Sequence, residues 1–174
     1  MTRVAHWLGV EFGPASRSER LVSALGGTIG IFAVLLLGGA LAPAGSGGQI
    51  LIVASMGASA VLLFAVPHGP LSQPWALVAG HLISAVVGVA CARLLPETLL
   101  AAPFAVGLSI AAMHGLRCIH PPGGATALTA VIGGPAIRDL GFGYAVDPIG
   151  VNVLVLLALA LVVNAPFAWR RYPV

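Results

Sequence analysis

The residues with chemistry to offer are few, and they cluster. His120-Pro121-Pro122-Gly123-Gly124-Ala125-Thr126-Ala127-Leu128 lies between an apolar run ending in Arg117-Cys118-Ile119 and a second one opening with Thr129-Ala130-Val131-Ile132. The paired prolines have fixed φ and no N–H to leave unpaired, which suits the first turn of a helix. The two glycines carry no side chain, and Thr126 adds a hydroxyl to the same turn. The stretch therefore reads as a helix N-terminus with open amides, a place that attracts anions.

A second small-residue series, Ser55-Met56-Gly57-Ala58-Ser59-Ala60, opens another apolar run. A shift of 67 residues lays Gly57-Ala58-Ser59-Ala60-Val61 on Gly124-Ala125-Thr126-Ala127-Leu128, with three positions identical and two conservative. Each copy leads into an apolar run ended by a proline, Pro67 or Pro135. As a repeat, this implies two helix starts facing one point near the bilayer midplane. The expected site for a small anion comprises Ser55, Gly57, Ala58, Ser59, His120, Gly123, Gly124, Ala125 and Thr126.

His120 precedes Pro121 and so occupies the N-cap, as an anion contact, a proton carrier or a structural cap. His81 and His114 lie inside apolar segments, where an ionisable group is costly; they are gating or proton candidates, or neutral histidines bonded between helices. Arg117 closes a span, either complementing the helix dipole or drawing anions into a vestibule. Asn152 and Asn164 read as interhelical glue, and Arg93 and Glu97 as an i, i+4 surface pair. Cys91 and Cys118 read as buried small hydrophobes.

The elements that must position these groups are membrane helices. Charged residues make up 7% of the 174 and hydrophobic ones 59%, with a mean hydropathy of +1.03. A soluble domain carries roughly 25% charged residues, so this chain cannot cover a water-facing surface. The expected fold is an all-α membrane protein, a compact bundle of about six transmembrane helices in two inverted three-helix repeats. Residues 1–20 form a polar cytoplasmic or interfacial arm, and 21–171 a single transmembrane domain. No cleavable signal peptide is expected, because the first apolar run is too long.

Spans are expected at Leu21 to Leu41, Ile50 to Val66, Trp75 to about Ala92, Leu99 to Leu116 and Pro148 to Trp169. The segments 50–66 and 121–134 are short, and the second is either a crossing or a re-entrant helix. Six crossings place Arg3, Arg17, Arg20, Arg117, Arg170 and Arg171 on one side and only Arg93 and Arg138 on the other. That split satisfies the positive-inside rule with both termini cytoplasmic. Trp75, Trp169 and Tyr172 then collect at the inner interface.

Nucleic acid is excluded as a partner because the arginines are scattered rather than gathered in a patch. Hydrolase and nucleotide-binding motifs are absent, so no enzyme activity is expected. No metal site or cofactor is expected either. The spans hold no carboxylate, the usual proton relay and cation ligand, which favours a neutral or anionic solute. The glycine-rich faces of the first span can pack within one bundle or against a second copy.

His120 to Ala127 resembles the signature of the HPP family of integral membrane proteins. Ser55 to Ala60, Gln73-Pro74 and Gly80-His81 are also similar to that family's pattern. The resemblance implies a small multi-span protein of the bacterial inner membrane and a role in transport. Some plastid and cyanobacterial relatives are linked with nitrite, so nitrite or a similar small monovalent anion is the implied solute. It also implies the lack of a cytosolic regulatory domain that some relatives carry. The rival expectation is a non-transporting scaffold or haem-binding subunit with His81 and His114 as axial ligands.

Overall fold

A computed structural model describes residues 15–41 and 54–174. Most of the polar arm (1–14), the turn-rich stretch at Pro43 to Gly48, and the expected opening of the second span at 50–53 lie outside the described residues.

The first helix, α1, runs Arg17–Leu41. It starts inside the polar arm because Ser16 and Glu19 form the beginning of a capping box, with the Glu19 amide donating to Ser16 Oγ at 3.0 Å. Leu21, Leu25, Ile29, Phe32 and Leu36 recur along one exposed face, a stripe suited to acyl chains. Next come α2 (Ser55–Ala65), α3 (Pro74–Leu94), α4 (Thr98–Gly115), α5 (Pro121–Ile132) and the short α6 (Pro135–Arg138). The last helix, α7 (Val151–Asn164), is entered through a tight turn at Gly141–Ala145 and a wide one at Val146–Gly150. It stops at Asn164, short of the expected Trp169, because Pro166 cannot continue the ladder.

The described residues are helices, turns and loops, without a strand. Four helical segments are long and apolar enough to cross a membrane: Arg17–Leu37, Pro74–Leu94, Thr98–Gly115 and Gly141–Asn164. By contrast α2 and α5 have 11 and 12 residues, roughly 17 and 18 Å of helix.

Cross-links between elements define two ends of the bundle. At one end Trp75 Nε1, starting α3, donates to Leu116 O after α4 at 3.1 Å. There too the Tyr172 hydroxyl donates to Ser72 O at 3.0 Å, and Arg170 pairs with Glu19 at the start of α1. At the other end Arg138 Nη2 donates to Val131 O at 2.9 Å and to Thr98 Oγ1 at 3.4 Å, joining the end of α5 to the start of α4. Arg93, ending α3, lies 5.1 Å over the Phe142 ring. His120, before α5, belongs to the first end through its bond to Leu71 O. Thus α5 points from one end of the bundle towards the other, as a 12-residue helix shorter than the four candidate spans. Residues 19 and 170 share an end of the bundle.

Arg93 and Glu97 do not pair. The helix between them ends at Leu94, and Leu95 to Glu97 are extended, so the i, i+4 relation is lost.

The internal repeat is visible in burial. The buried residues of α2 are Ser55, Met56, Ser59, Ala60, Leu63 and Phe64. Moved by 67, they fall on Pro122, Gly123, Thr126, Ala127, Ala130 and Val131, which are the buried residues of α5. Among the described residues, α1–α2–α3 and α4–α5–α7 are the two sets of three that an inverted repeat would pair.

Helix α3 is the axis of the bundle, with 56% of its apolar window buried against 17% for α1 and 22% for α4. It meets α5 through Gly80, Ser84 and Gly88, spaced one turn apart. A Cβ on Gly80 would stand 2.6 Å from His120 Cβ, and one on Gly88 would stand 2.5 Å from Ala127 O. One on Gly123 would lie 2.7 Å from Ser84 Oγ and 2.9 Å from Gly80 O. Small residues are what let two membrane helices touch along their backbones.

Candidate functional site

That close approach carries His120 to His81, with ring centroids 4.8 Å apart and the planes tilted by 60°. Between the rings sits Ser59 of α2, its Oγ 2.7 Å from His81 Nε2 and 2.9 Å from His120 Nε2. The other nitrogen of His81, Nδ1, is 2.7 Å from Thr126 Oγ1. Thr126 Oγ1 is in turn 2.8 Å from Ser55 Oγ. His120 Nδ1 lies 2.8 Å from Leu71 O. All five side chains are at most 1% exposed.

Ser59 and Thr126 are equivalents under the 67-residue shift, so His81 is held by one matching hydroxyl from each half. The residue pairs 59–120 and 55–126 also show that α2 and α5 pass each other antiparallel, overlapping by more than a turn. Their starts do not meet tip to tip.

A carbonyl only accepts, so Leu71 O requires a proton on His120 Nδ1. In the neutral ring Nε2 is then an acceptor, and Ser59 must donate to it. Ser59 has spent its one proton, so His81 Nε2 must donate to Ser59. His81 Nδ1 then accepts from Thr126, whose hydroxyl also lies within hydrogen-bond distance of Ser55 Oγ. One acceptor thus orients four hydrogen bonds in a single direction. Nitrogen-15 NMR of histidine-labelled protein is expected to show His120 as the Nδ1–H tautomer and His81 as the Nε2–H tautomer. The opposite pair of tautomers would contradict this chain.

Two of the amides expected to be open are bonded to backbone carbonyls. Pro121 and Pro122 have no N–H, and the Gly123 amide is bonded to His120 O at 2.8 Å. On α2 the Gly57 amide is bonded to Ala54 O at 3.1 Å. Gly123 serves helix contact, and the polar groups that meet in the interior here are hydroxyls and imidazoles. Ser55, Ser59, His81, His120 and Thr126 come together, with Gly123 buried behind them. Gly57, Ala58 and Ala125 lie on exposed faces, because a helix turns them away from its buried side, and Gly124 is half-buried.

His114 is exposed on the last turn of α4, outside the network. A haem held between His81 and His114 does not fit, since both His81 nitrogens are committed and His114 faces outward. Arg117 is exposed too, with φ of 54°. It sits at the left-handed position ending α4, where Cys118 N bonds Met113 O and Arg117 N bonds His114 O, a Schellman arrangement usually given to glycine.

Two contributors, Tyr144 and Ser72, gave no signal in the sequence. Tyr144, in the run-in to α7, is fully buried and donates to Thr126 O at 3.1 Å. Ser72 Oγ bonds Leu62 O at 3.1 Å and Val66 O at 2.7 Å, holding the turn that presents Leu71 O. Asn164 accepts from Arg170 Nε at 2.9 Å, and the arginine, though basic and near the C-terminus, is fully buried.

An all-helical bundle with lipid-suited flanks and a buried hydroxyl–imidazole centre defines a multi-span integral membrane protein. The chain belongs to the HPP family: the family's transmembrane region matches residues 13–173. It is 44% identical over 129 residues to a transmembrane protein of Dictyostelium discoideum, covering 72% of this chain and 41% of the relative. A second transmembrane protein of that organism is 44% identical over 126 residues, covering 70% of this chain and 44% of the relative. The chain thus spans less than half the length of the curated relatives it matches. No solved structure matches it.

Proposed function

We propose that the protein is a carrier, not a catalyst, and that it moves a small monovalent anion across a bacterial inner membrane, with nitrite the leading solute. The supporting observation is the centre itself: Ser55, Ser59, His81, His120 and Thr126, all buried where the two short helices cross. Polar groups are expensive in a membrane interior and concentrate along solute paths. The described carboxylates, Glu19, Glu97, Asp139 and Asp147, belong to helix ends and loops, so the centre carries no fixed negative charge to repel an anion. The solute replaces the hydrogen bonds among the hydroxyls with bonds to itself. The end bearing Arg117 and Arg170 faces the cytoplasm by the positive-inside rule.

One observation favours a rival, a non-transporting scaffold: the hydrogen bonds of the centre close on themselves, as a structural clasp also would. Flux decides between them. Proteoliposomes are expected to take up nitrite well above empty vesicles. Ser59→Ala and Thr126→Val should each lower that uptake by roughly tenfold, the scale of one lost hydrogen bond to a charged partner. Wild-type uptake equal to that of empty vesicles for nitrite, nitrate and formate would remove the carrier.

A further inference from the structure

The hydroxyl of Ser59 has three polar neighbours. Besides the two imidazole nitrogens, the Ser55 carbonyl one turn back lies 3.1 Å away. A hydroxyl has one proton and two lone pairs. With both rings neutral, Ser59 accepts from His81 and donates to His120, and its contact with the Ser55 carbonyl goes unused. If His120 Nε2 gains a proton, both rings donate to Ser59, and the Ser59 proton turns to the Ser55 carbonyl. All three contacts are then satisfied. The centre already holds the extra acceptor that a protonated form needs.

We propose that the anion is carried together with one proton, and that His120 Nε2 receives that proton. This deepens the carrier reading and rests on it. In the step a hydronium ion gives its proton to the ring nitrogen: one O–H bond breaks, one N–H bond forms and water is left. No other covalent bond changes, and the Ser59 proton stays on its oxygen while its hydrogen bond moves. The repeat supplies a similar alternative to Thr126, the Pro122 carbonyl, but at 3.4 Å. The other partner of Thr126, the Ser55 hydroxyl at 2.8 Å, has a proton of its own to turn, so the nearer carbonyl, that of Ser55 beside Ser59, assigns the proton to His120 rather than His81.

The surroundings explain why proton and anion travel as a pair. The groups facing the two rings are Ser55 and Ser59 of α2, Thr126 of α5 and the Leu71 carbonyl. Tyr144, ahead of α7, reaches the Thr126 carbonyl, and the Cys118 carbonyl lies beside Gly80 on α3. From α4, Met113 is buried in one cluster with Cys118. None of these is a carboxylate, and Arg117, three residues before His120, is exposed. An anion alone, or an imidazolium alone, would be a bare buried charge, whereas the two together are neutral.

The test is nitrite uptake by proteoliposomes of the full chain, with potential clamped by potassium and valinomycin and empty-vesicle uptake subtracted. A vesicle interior one pH unit more alkaline is expected to support about tenfold accumulation at zero potential. A 60 mV step at equal pH is expected to leave uptake unchanged, whereas it would shift an uncoupled anion by about tenfold. His120→Asn keeps a donor to the Leu71 carbonyl and removes Nε2; its remaining uptake should follow voltage and ignore the pH gradient. Voltage-driven wild-type uptake that ignores pH would overturn proton coupling and leave anion carriage standing. A pH response retained by His120→Asn would overturn the assignment to that ring. Absence of uptake above empty vesicles for nitrite, nitrate and formate would remove the carrier and, with it, this inference.

Discussion

Gly88→Ala and Gly123→Ala will each lower the melting temperature of the detergent-solubilised protein, and Gly124→Ala will not. The added methyl on Gly88 meets Ala127 O at 2.5 Å, Ala127 Cα at 2.8 Å and Ala130 Cβ at 2.9 Å. These atoms belong to the α5 backbone or are rigidly attached to it, so the helices themselves must separate. On Gly123 the methyl meets the Gly80 carbonyl as well as Ser84 Oγ, and the α3–α5 contact again has to open. Overpacking of this kind costs about 3 kcal/mol, roughly 6 to 12 °C in a domain of this size. Gly124 is one residue away on the same helix, yet its added Cβ finds only Val106 at 3.9 Å. Alanine there gains up to about 1 kcal/mol of helix propensity. If Gly124→Ala proved as damaging as Gly123→Ala, the contact account of the signature glycines would be wrong.

Arg170→Met is expected to cost about 3 kcal/mol, with a matching loss of melting temperature. Arg170 is fully buried and gathers four partners: the Glu19 carboxylate, Ser23 Oγ at 3.2 Å, Asn164 Oδ1 at 2.9 Å and the Phe64 carbonyl. The last of these belongs to the final turn of α2, where a cation also complements the helix dipole. One guanidinium therefore ties α1, α2 and α7 together at one end of the bundle. Methionine fills the volume but strips donors from all four partners at once. Arg170→Lys keeps the charge and should recover only part of the loss, because an ammonium cannot reach acceptors set around a planar fork. Glu19→Gln should cost far less, since the carboxylate is 26% exposed and water can replace its partner. Equal losses for Glu19→Gln and Arg170→Met would place the effect in the ion pair alone.

Much of the fold was legible because membrane helices announce themselves. The apolar spans around α3, α4 and α5 matched the helices to within about two residues, since Pro74, Pro121 and Gly133 mark boundaries by what their backbones permit. The repeat was legible as well, from Gly57 to Val61 against Gly124 to Leu128. Less legible were boundaries that rest on side chains: the Ser16–Glu19 start of α1 was hidden in a charged arm, and Pro166 was read through. The signature glycines read as open amides, and the close contact of Gly123 with α3 was not legible, because it depends on which helix lies opposite.

Residue order by itself determined that the chain lives in lipid and that it is helical. These follow from transfer free energy and backbone sterics, both local properties. Tertiary structure alone decided that His81, not His114, joins His120, that Ser59 stands between two rings, and that Arg170 is inside rather than at the surface. Those outcomes depend on the angular phase at which α2, α3 and α5 cross, and that phase is set by contacts between residues far apart in the chain.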